Sequence, residues 1–236
     1  MPVAALYDVH GNLPALEAVL IDIEGRDVGA VVCGGDVVWG PMPAECLELL
    51  RNAGVLWVRG NADRGVLTGH TEIDRWCREL LDPEACALVS SWAPAAALDV
   101  PGLGRVLFCH GSPRSDDEIL TRATPEEHVA AALGGCDAGV VVCGHTHVQF
   151  DRRLAGGRRL VNAGSVGMPY EGTPEARWAL LGPGVDLTRT AYDAGAAADS
   201  ILATGFPYAQ EMVEDSLRGG VTAEEATAFF ESQRGA

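Results

Sequence analysis

Short apolar runs alternate with amphipathic stretches through the first part of the chain, the pattern of strands followed by helices. Val3–Tyr7, Ala30–Cys33, Val55–Val58, Arg105–Cys109 and Ala138–Cys143 predict strands. Between them Leu13–Glu24 has a helical period, with Asn12 placed to cap it and Pro14 inside its first turn. Pro43–Ala53 is helical with Gly54 as its stop, residues 64–93 read as helical and irregular, and Pro125–Leu133 ends at Gly134-Gly135. Beyond this the pattern changes. Gln149–Leu154 and Arg158–Asn162 flank Gly156-Gly157, and Arg177–Leu181 and Val185–Tyr192 flank Gly182-Pro183-Gly184, which are two hairpin signals. Ala194–Thr204, Tyr208–Leu217 and Ala223–Gln233 predict closing helices, the last capped by Thr222. Strand–helix units followed by hairpins and helices predict an α/β layered sandwich of two packed sheets with outer helices. A single domain over 1–236 is expected, with a helical C-terminal segment at about 194–236.

Composition narrows the function. The chain has 236 residues, of which 47% are hydrophobic, so it can bury a sizeable core. A formal net charge of -16 argues against bulk nucleic acid or an anionic membrane as partner, while leaving a small anionic substrate open, since bound metals would reverse the local sign. Every Lys/Arg position is Arg, which excludes a P-loop lysine, a Schiff-base lysine and a Ser-Lys dyad. The seven cysteines are odd in number and none has C-x-x-C spacing, so neither a disulfide framework nor a zinc knuckle is signalled. The N-terminal segment has no basic start and no long apolar stretch, and no run spans a membrane; the cytoplasm is the expected location.

The candidate chemistry lies where the apolar runs end. Asp8 and His10, Asp36, Asn61 and Asp63, His110, and His145 and His147 follow five predicted strands, and ligands of open α/β sheets gather at such ends. Singly, an Asp there is most often a turn residue and a His a structural one. Four of six histidines at strand ends, two of them in one Gly-His-x-His, change that balance. In extended chain, Asp8/His10 and His145/His147 would each project to one side. Carboxylate, amide oxygen and imidazole together suit Mn, Fe, Zn or a similar divalent ion rather than calcium. Two such ions facing two carboxylates and neutral imidazoles would leave a cationic site that attracts phosphate. His70 and His128 lack this context and read as surface residues. A Cys-His hydrolase built on Cys109 or Cys143 is disfavoured because those thiols lie within strands. Ser165 in Gly164-Ser165-Val166-Gly167 lacks the helix that a nucleophile elbow requires.

The ordered set Asp8-x-His10, Gly35-Asp36, Gly60-Asn61-x-Asp63, His110-Gly111 and Gly144-His145-Thr146-His147 closely resembles the calcineurin-like metallophosphoesterase family. The likeness runs over roughly residues 3–190, through HGNLPALEAVL, GGDVVWGPMP, CHGSPR and VNAGSVGMPYEG, with the flavour of its small bacterial phosphodiesterase-like branch. The resemblance implies a four-layer αββα sandwich of two mixed sheets. It implies one metal on Asp8, His10, Asp36 and His147 and a second on Asp36, Asn61, His110 and His145, with Asp36 bridging. One position departs: the family commonly places a phosphate-binding or proton-donating His where this chain has Ala62, and Asp63, which usually supports that His, then loses its partner and has helix capping as its alternative role.

The function expected from this is hydrolysis of a small phosphoester, a phosphodiester before a monoester, by a hydroxide held between two metals, with Mn best supporting activity. Asp36, Asn61 and Asp63 are the catalytic candidates, and Arg64 and Arg114 the candidates for further phosphate contacts. A nucleotide pyrophosphatase or protein phosphatase is the alternative within enzymes. A metal-binding interaction scaffold without catalysis is the alternative outside them, motivated by Ala62. Oligomeric state is left open.

Overall fold

In a computed structural model, residues 1–234 are described. Two five-stranded mixed sheets pack face to face. The first contains β1 (Val3–Leu6), β2 (Ala30–Cys33), β3 (Leu56–Trp57), β9 (Ala176–Leu181) and β10 (Val185–Thr190) in the order β10-β9-β1-β2-β3. The second contains β4 (Ala95–Val100), β5 (Gly104–Cys109), β6 (Val140–Cys143), β7 (Phe150–Arg153) and β8 (Arg159–Asn162) in the order β4-β5-β6-β8-β7. β1, β2 and β3 run parallel, as do β5, β6 and β8. The two hairpins, β7–β8 and β9–β10, are antiparallel as expected.

The strands read as continuous apolar runs because both faces are covered. Along β1, Val3 and Ala5 face the second sheet, while Ala4 and Leu6 face helices. Along β5 and β6, Val106, Phe108, Val140 and Val142 close the space between the sheets, and Leu107, Cys109, Val141 and Cys143 face outward. That outer face is covered by Val129, Ala132 and Leu133 around α6 (Glu126–Ala132). The first sheet is covered by α1 (Leu13–Glu24), α2 (Pro43–Asn52), α3 (Asn61–Thr68), α4 (Glu72–Glu79), α5 (Pro83–Ser90) and α7 (Ala194–Ala203). This is the αββα layering that the pattern and the resemblance predict.

Local signals act as anticipated in several places. Asn12 Oδ1 accepts from Ala15 N at 3.2 Å, and Thr222 caps α9 (Ala223–Gln233) in a reciprocal box with Glu225. Elsewhere tertiary context prevails. Val55–Val58 yields only the two-residue β3, extended by one bridge from Val58 to Ala93. Tyr208–Leu217 is not one α-helix: α8 (Ala209–Met212) gives way to a π turn over Val213–Leu217. β4 has no counterpart in the predicted strands. Its Ala95-Ala96-Ala97 is a helix-favouring run, held extended by six antiparallel pairings with β5. Among the described residues, no helix is long and apolar enough to cross a membrane, and all seven cysteines are free thiols. The last two residues of the expected C-terminal segment, 235–236, lie outside the described residues.

Candidate metal centre

The seven predicted ligands come from the carboxyl ends of β1, β2, β3, β5 and β6 and meet at one edge of the sandwich. Ligand atoms of Asp8, His10 and His147 lie within 4.8 Å of one another, and so do those of Asp36, His110 and His145. The two groups adjoin. Asp36 Oδ2 is 3.1 Å from His110 Nε2 and 3.8 Å from His10 Nε2. Asp8 Oδ1 is 3.4 Å from His147 Nε2 and 3.7 Å from His110 Nε2. Both carboxylates therefore face imidazoles of both groups.

The ligand pairs do not project from extended chain as their i, i+2 spacing suggested. Asp8, His10, Asp36, His145 and His147 have φ of 53°, 45°, 56°, 67° and 56°, past the strand ends in the left-handed region. Among the described residues these are the non-glycine positions with positive φ. Such backbone is uncommon outside glycine, with Asn, Asp and His the types that tolerate it best, and it costs of order 1–3 kcal/mol per residue unless the surroundings impose it. Here they do. Asp8 N donates to Gly35 O, His10 N to Asp36 O and Gly144 N to His110 O at 2.8–3.0 Å, which ties each ligand loop to the next. Ser165 Oγ donates to Asp8 O and accepts from Met168 N, both at 2.7 Å, so this buried serine braces the loop and is no nucleophile. Asn162 Nδ2 donates to Gly144 O and to Thr146 Oγ1. Close approach explains two glycines: a Cβ on Gly60 would collide with Asp36 Oδ1, and one on Gly144 with Asp8 Oδ2.

The donor set fits divalent cations. His10, His110 and His147 each turn Nδ1 to a backbone carbonyl, of Trp39 at 3.1 Å, Gly34 at 2.9 Å and Met168 at 2.7 Å. A neutral imidazole donating from Nδ1 presents a lone pair at Nε2, and this is how outer-shell partners orient metal-binding histidines. His10 Nε2 and His147 Nε2 then face one another at 3.2 Å as two acceptors. Asp8 Oδ1, Asn61 Oδ1 and His110 Nε2 are buried without a hydrogen-bond partner. Converging acceptors with nothing to accept from are costly unless a cation lies between them.

The electrostatics agree. Burial and the neighbouring His147 push His10 down to about 4, and burial and His110 do the same to His145. Burial would also lower His110, but the Asp36 and Asp8 carboxylates outweigh it and raise this imidazole to about 10. Burial opposes the charge on Asp36 and Asp8 as well. His110 foremost at Asp36, and His147 at Asp8, nevertheless hold both carboxyls below the ordinary range. The buried carboxylates favour positive charge beside them, which is the charge a divalent cation would supply.

A cavity of about 850 Å³ opens over the centre and is lined by His10, Asp36, Asn61, His145 and His147. Ala62 and Arg64 also line it. Arg64 is engaged, with Nε and an Nη each donating to the Asp116 carboxylate at 2.8 Å. Arg114 does not reach this cavity. It pairs with Glu118, with which it lines a second cavity, away from the candidate centre. Asp63 is placed differently from a catalytic group. It is fully buried, and its oxygens accept from the backbone N–H of Asp36 (2.7 Å), Val37 (2.8 Å), Val38 (3.1 Å) and Gly60 (3.0 Å). The last of these closes the cap of α3; the other three fix the Asp36 loop. Asp63 positions Asp36 and has no oxygen to spare for an imidazole at position 62. His70, read as a surface residue, is exposed but also lines the cavity, brought there by the turn between α3 and α4. His128 is exposed and remote from it. Cys109 and Cys143 are buried, and burial pushes both thiols up, out of nucleophilic range.

Comparisons with known proteins bear on this geometry. The family model described as the calcineurin-like phosphoesterase superfamily domain matches residues 1–182. The crystal structure of a metallophosphoesterase from Sphaerobacter thermophilus is similar to the chain with a TM-score of 0.77 and 29% identity, over 94% of this chain and 99% of that one. The hypothetical protein PH1004 from Pyrococcus horikoshii OT3 shares the fold, with a TM-score of 0.80 and 22% identity over 94% of this chain and 99% of its own. The uncharacterized protein MJ0912 of Methanocaldococcus jannaschii is 29% identical over 233 residues, 87% of this chain and 93% of that protein.

Proposed function

Because this chain belongs to the calcineurin-like phosphoesterase superfamily, we propose that its strand-end centre holds two divalent metals and hydrolyses a phosphoester, with diesters preferred over monoesters. The observation that carries the reading is the convergence of unanswered acceptors: Asp8 Oδ1, Asn61 Oδ1 and the facing Nε2 atoms of His10 and His147. Asp8, His10 and His147 would hold one ion, and Asn61, His110 and His145 the other, with Asp36 Oδ2 turned to both. Bound there, divalent cations supply Lewis acidity that activates water and offsets charge on the phosphoryl oxygens.

The chain's own groups do the rest. Three backbone carbonyls hold Nδ1 of His10, His110 and His147, so each ring turns Nε2 toward the centre. Asp63 holds the Asp36 loop, and Ala62 N donates to Asp36 Oδ1 at 2.8 Å, leaving Oδ2 for the ions. The diester preference follows from what surrounds the centre. Arg64 is committed to Asp116 and Arg114 lies elsewhere, so the second charge of a monoester finds no further cation. No side chain at position 62 protonates a departing alkoxide, which favours leaving groups that depart as stable anions.

The test is metal content together with hydrolysis. Chain supplied with Mn is expected to retain about two ions by elemental analysis and to cleave bis(p-nitrophenyl) phosphate with higher kcat/KM than p-nitrophenyl phosphate. Absence of stoichiometric metal, or retention of metal without cleavage of either ester, would overturn it; the second result would point to a binding scaffold.

A further inference from the structure

The cavity over the metal centre has a second wall. Trp39, Tyr170, Tyr208 and Phe230 line it, and each is partly exposed. Trp39 sits edge-on to His10 with ring centroids 5.5 Å apart, and Tyr208 lies 5.8 Å from Trp39. Tyr170 stacks on His147 at 4.7 Å, and Phe230 tilts over His145 at 6.1 Å. The rings thus begin at the ligands themselves and extend outward. Tyr208 and Phe230 come from the C-terminal helical segment, beyond the residues 1–182 that the family model matches.

Phe230 is the informative member. An aromatic side chain on a surface helix usually packs on a core, but Phe230 packs against none of the three hydrophobic clusters. Its helix is nonetheless fixed. The neighbouring Glu231 accepts from Thr121 Oγ1 at 2.7 Å and Thr124 Oγ1 at 2.5 Å, and Arg122 pairs with Glu224 at 2.8 Å. A ring held firmly in place, off the core and facing a cavity of about 850 Å³, is available to a ligand. That volume suits an organic molecule of drug size rather than a bare phosphate.

We infer that Tyr208 and Phe230, with Trp39 and Tyr170, form a ring-binding enclosure that selects phosphoesters carrying a flat aromatic group, aryl or nucleobase, on one ester arm. The inference rests on the reading of the centre as the phosphate-binding end. Flat aromatic faces reward any planar ring by stacking, whatever its edge. Three of the polar groups beside them are engaged elsewhere and do not read that edge: Asp74 is turned to Thr71 N at 2.8 Å, Arg64 to Asp116, and Thr68 Oγ1 donates to Gly65 O. Preference for a ring without discrimination among rings is the expected specificity.

Phosphonates test this without turnover, because their C–P bond is not an ester. Phenylphosphonate and methylphosphonate are titrated calorimetrically into the full chain, with and without Mn. Phenylphosphonate is expected to bind about 10-fold tighter, equivalent to ~1.4 kcal/mol. In Phe230→Leu and Tyr208→Leu, which keep apolar bulk and lose the ring, that ratio is expected to fall to about 3-fold or less, with methylphosphonate affinity and metal content unchanged. Equal affinities in the unaltered chain, a ratio that survives both substitutions, or no binding of phenylphosphonate in either state would each overturn the enclosure. A ring preference in a chain that cleaves no ester leaves the enclosure standing and removes the hydrolase reading. Cleavage of diesters with no ring preference does the reverse.

Discussion

The two walls of the cavity are secured in different ways. On the metal side, five candidate ligands sit in left-handed backbone, held there by loop-to-loop amide hydrogen bonds, Asp63 and Ser165. On the aromatic side, Phe230 is positioned by a helix joined to the rest of the chain through buried Ala226 and Thr227 and through side-chain contacts of Glu224 and Glu231. A substitution on the metal side changes several hydrogen-bonded partners at once. One on the aromatic side changes a single contact surface. On the proposed reading, what reacts and what is admitted are separable: the first would depend on strained, interlocked backbone, the second on rings of which Phe230 stands off the core.

The largest effects belong to the interlocked side. Asp36→Asn is expected to cost more activity than the ~10–100-fold typical of losing an outer-shell partner of a metal ligand, because Asp36 Oδ2 faces imidazoles of both groups. Elemental analysis should find less than the unaltered metal content; full metal and full activity would show that Asp36 does not join the two ions. Asp63→Asn comes next and separates positioning from catalysis. An amide nitrogen would face backbone N–H groups where a carboxylate oxygen now accepts two of them. Leaving two buried N–H groups unmet costs ~1–3 kcal/mol each, so thermal unfolding and metal retention should both suffer, although Asp63 touches neither the cavity nor an ion. A variant with normal stability and metal but lost turnover would return Asp63 to a catalytic role.

The same contrast explains which parts were legible in the sequence. The convergence of the candidate ligands was, because Asp, Asn and His next to glycine at the ends of apolar runs are chemically distinctive and strand ends meet at one edge whatever the details of packing. Their backbone conformation was not. Spacing of i and i+2 suggests extended chain; the resemblance already groups His145 with Asp36 and His147 with Asp8, but nothing local signals the left-handed backbone that carries them. Ser165, Asn162 and the four-fold acceptor role of Asp63 were illegible for a related reason: each acts on backbone atoms brought from remote parts of the chain, which no local pattern records. β4 was hidden by its alanines, whose helical preference is outweighed by pairing with β5. Phe230 was hidden by its own regularity, since a Phe at a helical position reads as core until the helix is seen to place it over His145.

Ala62→His tests the border between the two walls, and its effect should be intermediate. The methyl of Ala62 lines the cavity, so an imidazole there could reach a leaving oxygen. It would lack a carboxylate to orient it, because both oxygens of Asp63 are occupied by amides. General acid catalysis from a well-positioned group contributes about 10²–10⁴-fold. The gain on poor leaving groups should therefore stay below about 10², with little change on nitrophenyl esters. The quantity to compare is the slope of log kcat/KM against leaving-group pKa, at matched metal content. A gain at the upper end of the range would mean that Asp63 can release its amides and support the ring.

Glu231→Gln should have the smallest effect, and it addresses the aromatic side directly. Glutamine keeps a carbonyl oxygen for Thr121 and Thr124 but gives up the charge that pairs with Arg234 at 3.0 Å. The pair is only partly buried, and surface pairs contribute about 0–1 kcal/mol, so global stability should move little. The hold on Phe230 should loosen slightly, lowering the phenylphosphonate-to-methylphosphonate ratio by about 2-fold, while metal content and methylphosphonate binding stay constant. The pH dependence has a definite sign. Burial opposes the Glu231 charge, but hydrogen bonds from Thr121 and Thr124 and the nearby Arg234 outweigh it and hold the carboxyl below its usual value. A carboxyl lowered on folding stabilises the folded state above its unfolded pKa and loses that contribution as pH falls through the lowered value. The helix contact is therefore complete at neutral pH, and the ratio should be flat from about pH 6 to 9 if Glu231 alone controls it. A ratio that changes steeply across that interval, beyond what the second ionisation of the two phosphonates accounts for, would show that a group other than Glu231 governs how rings are held.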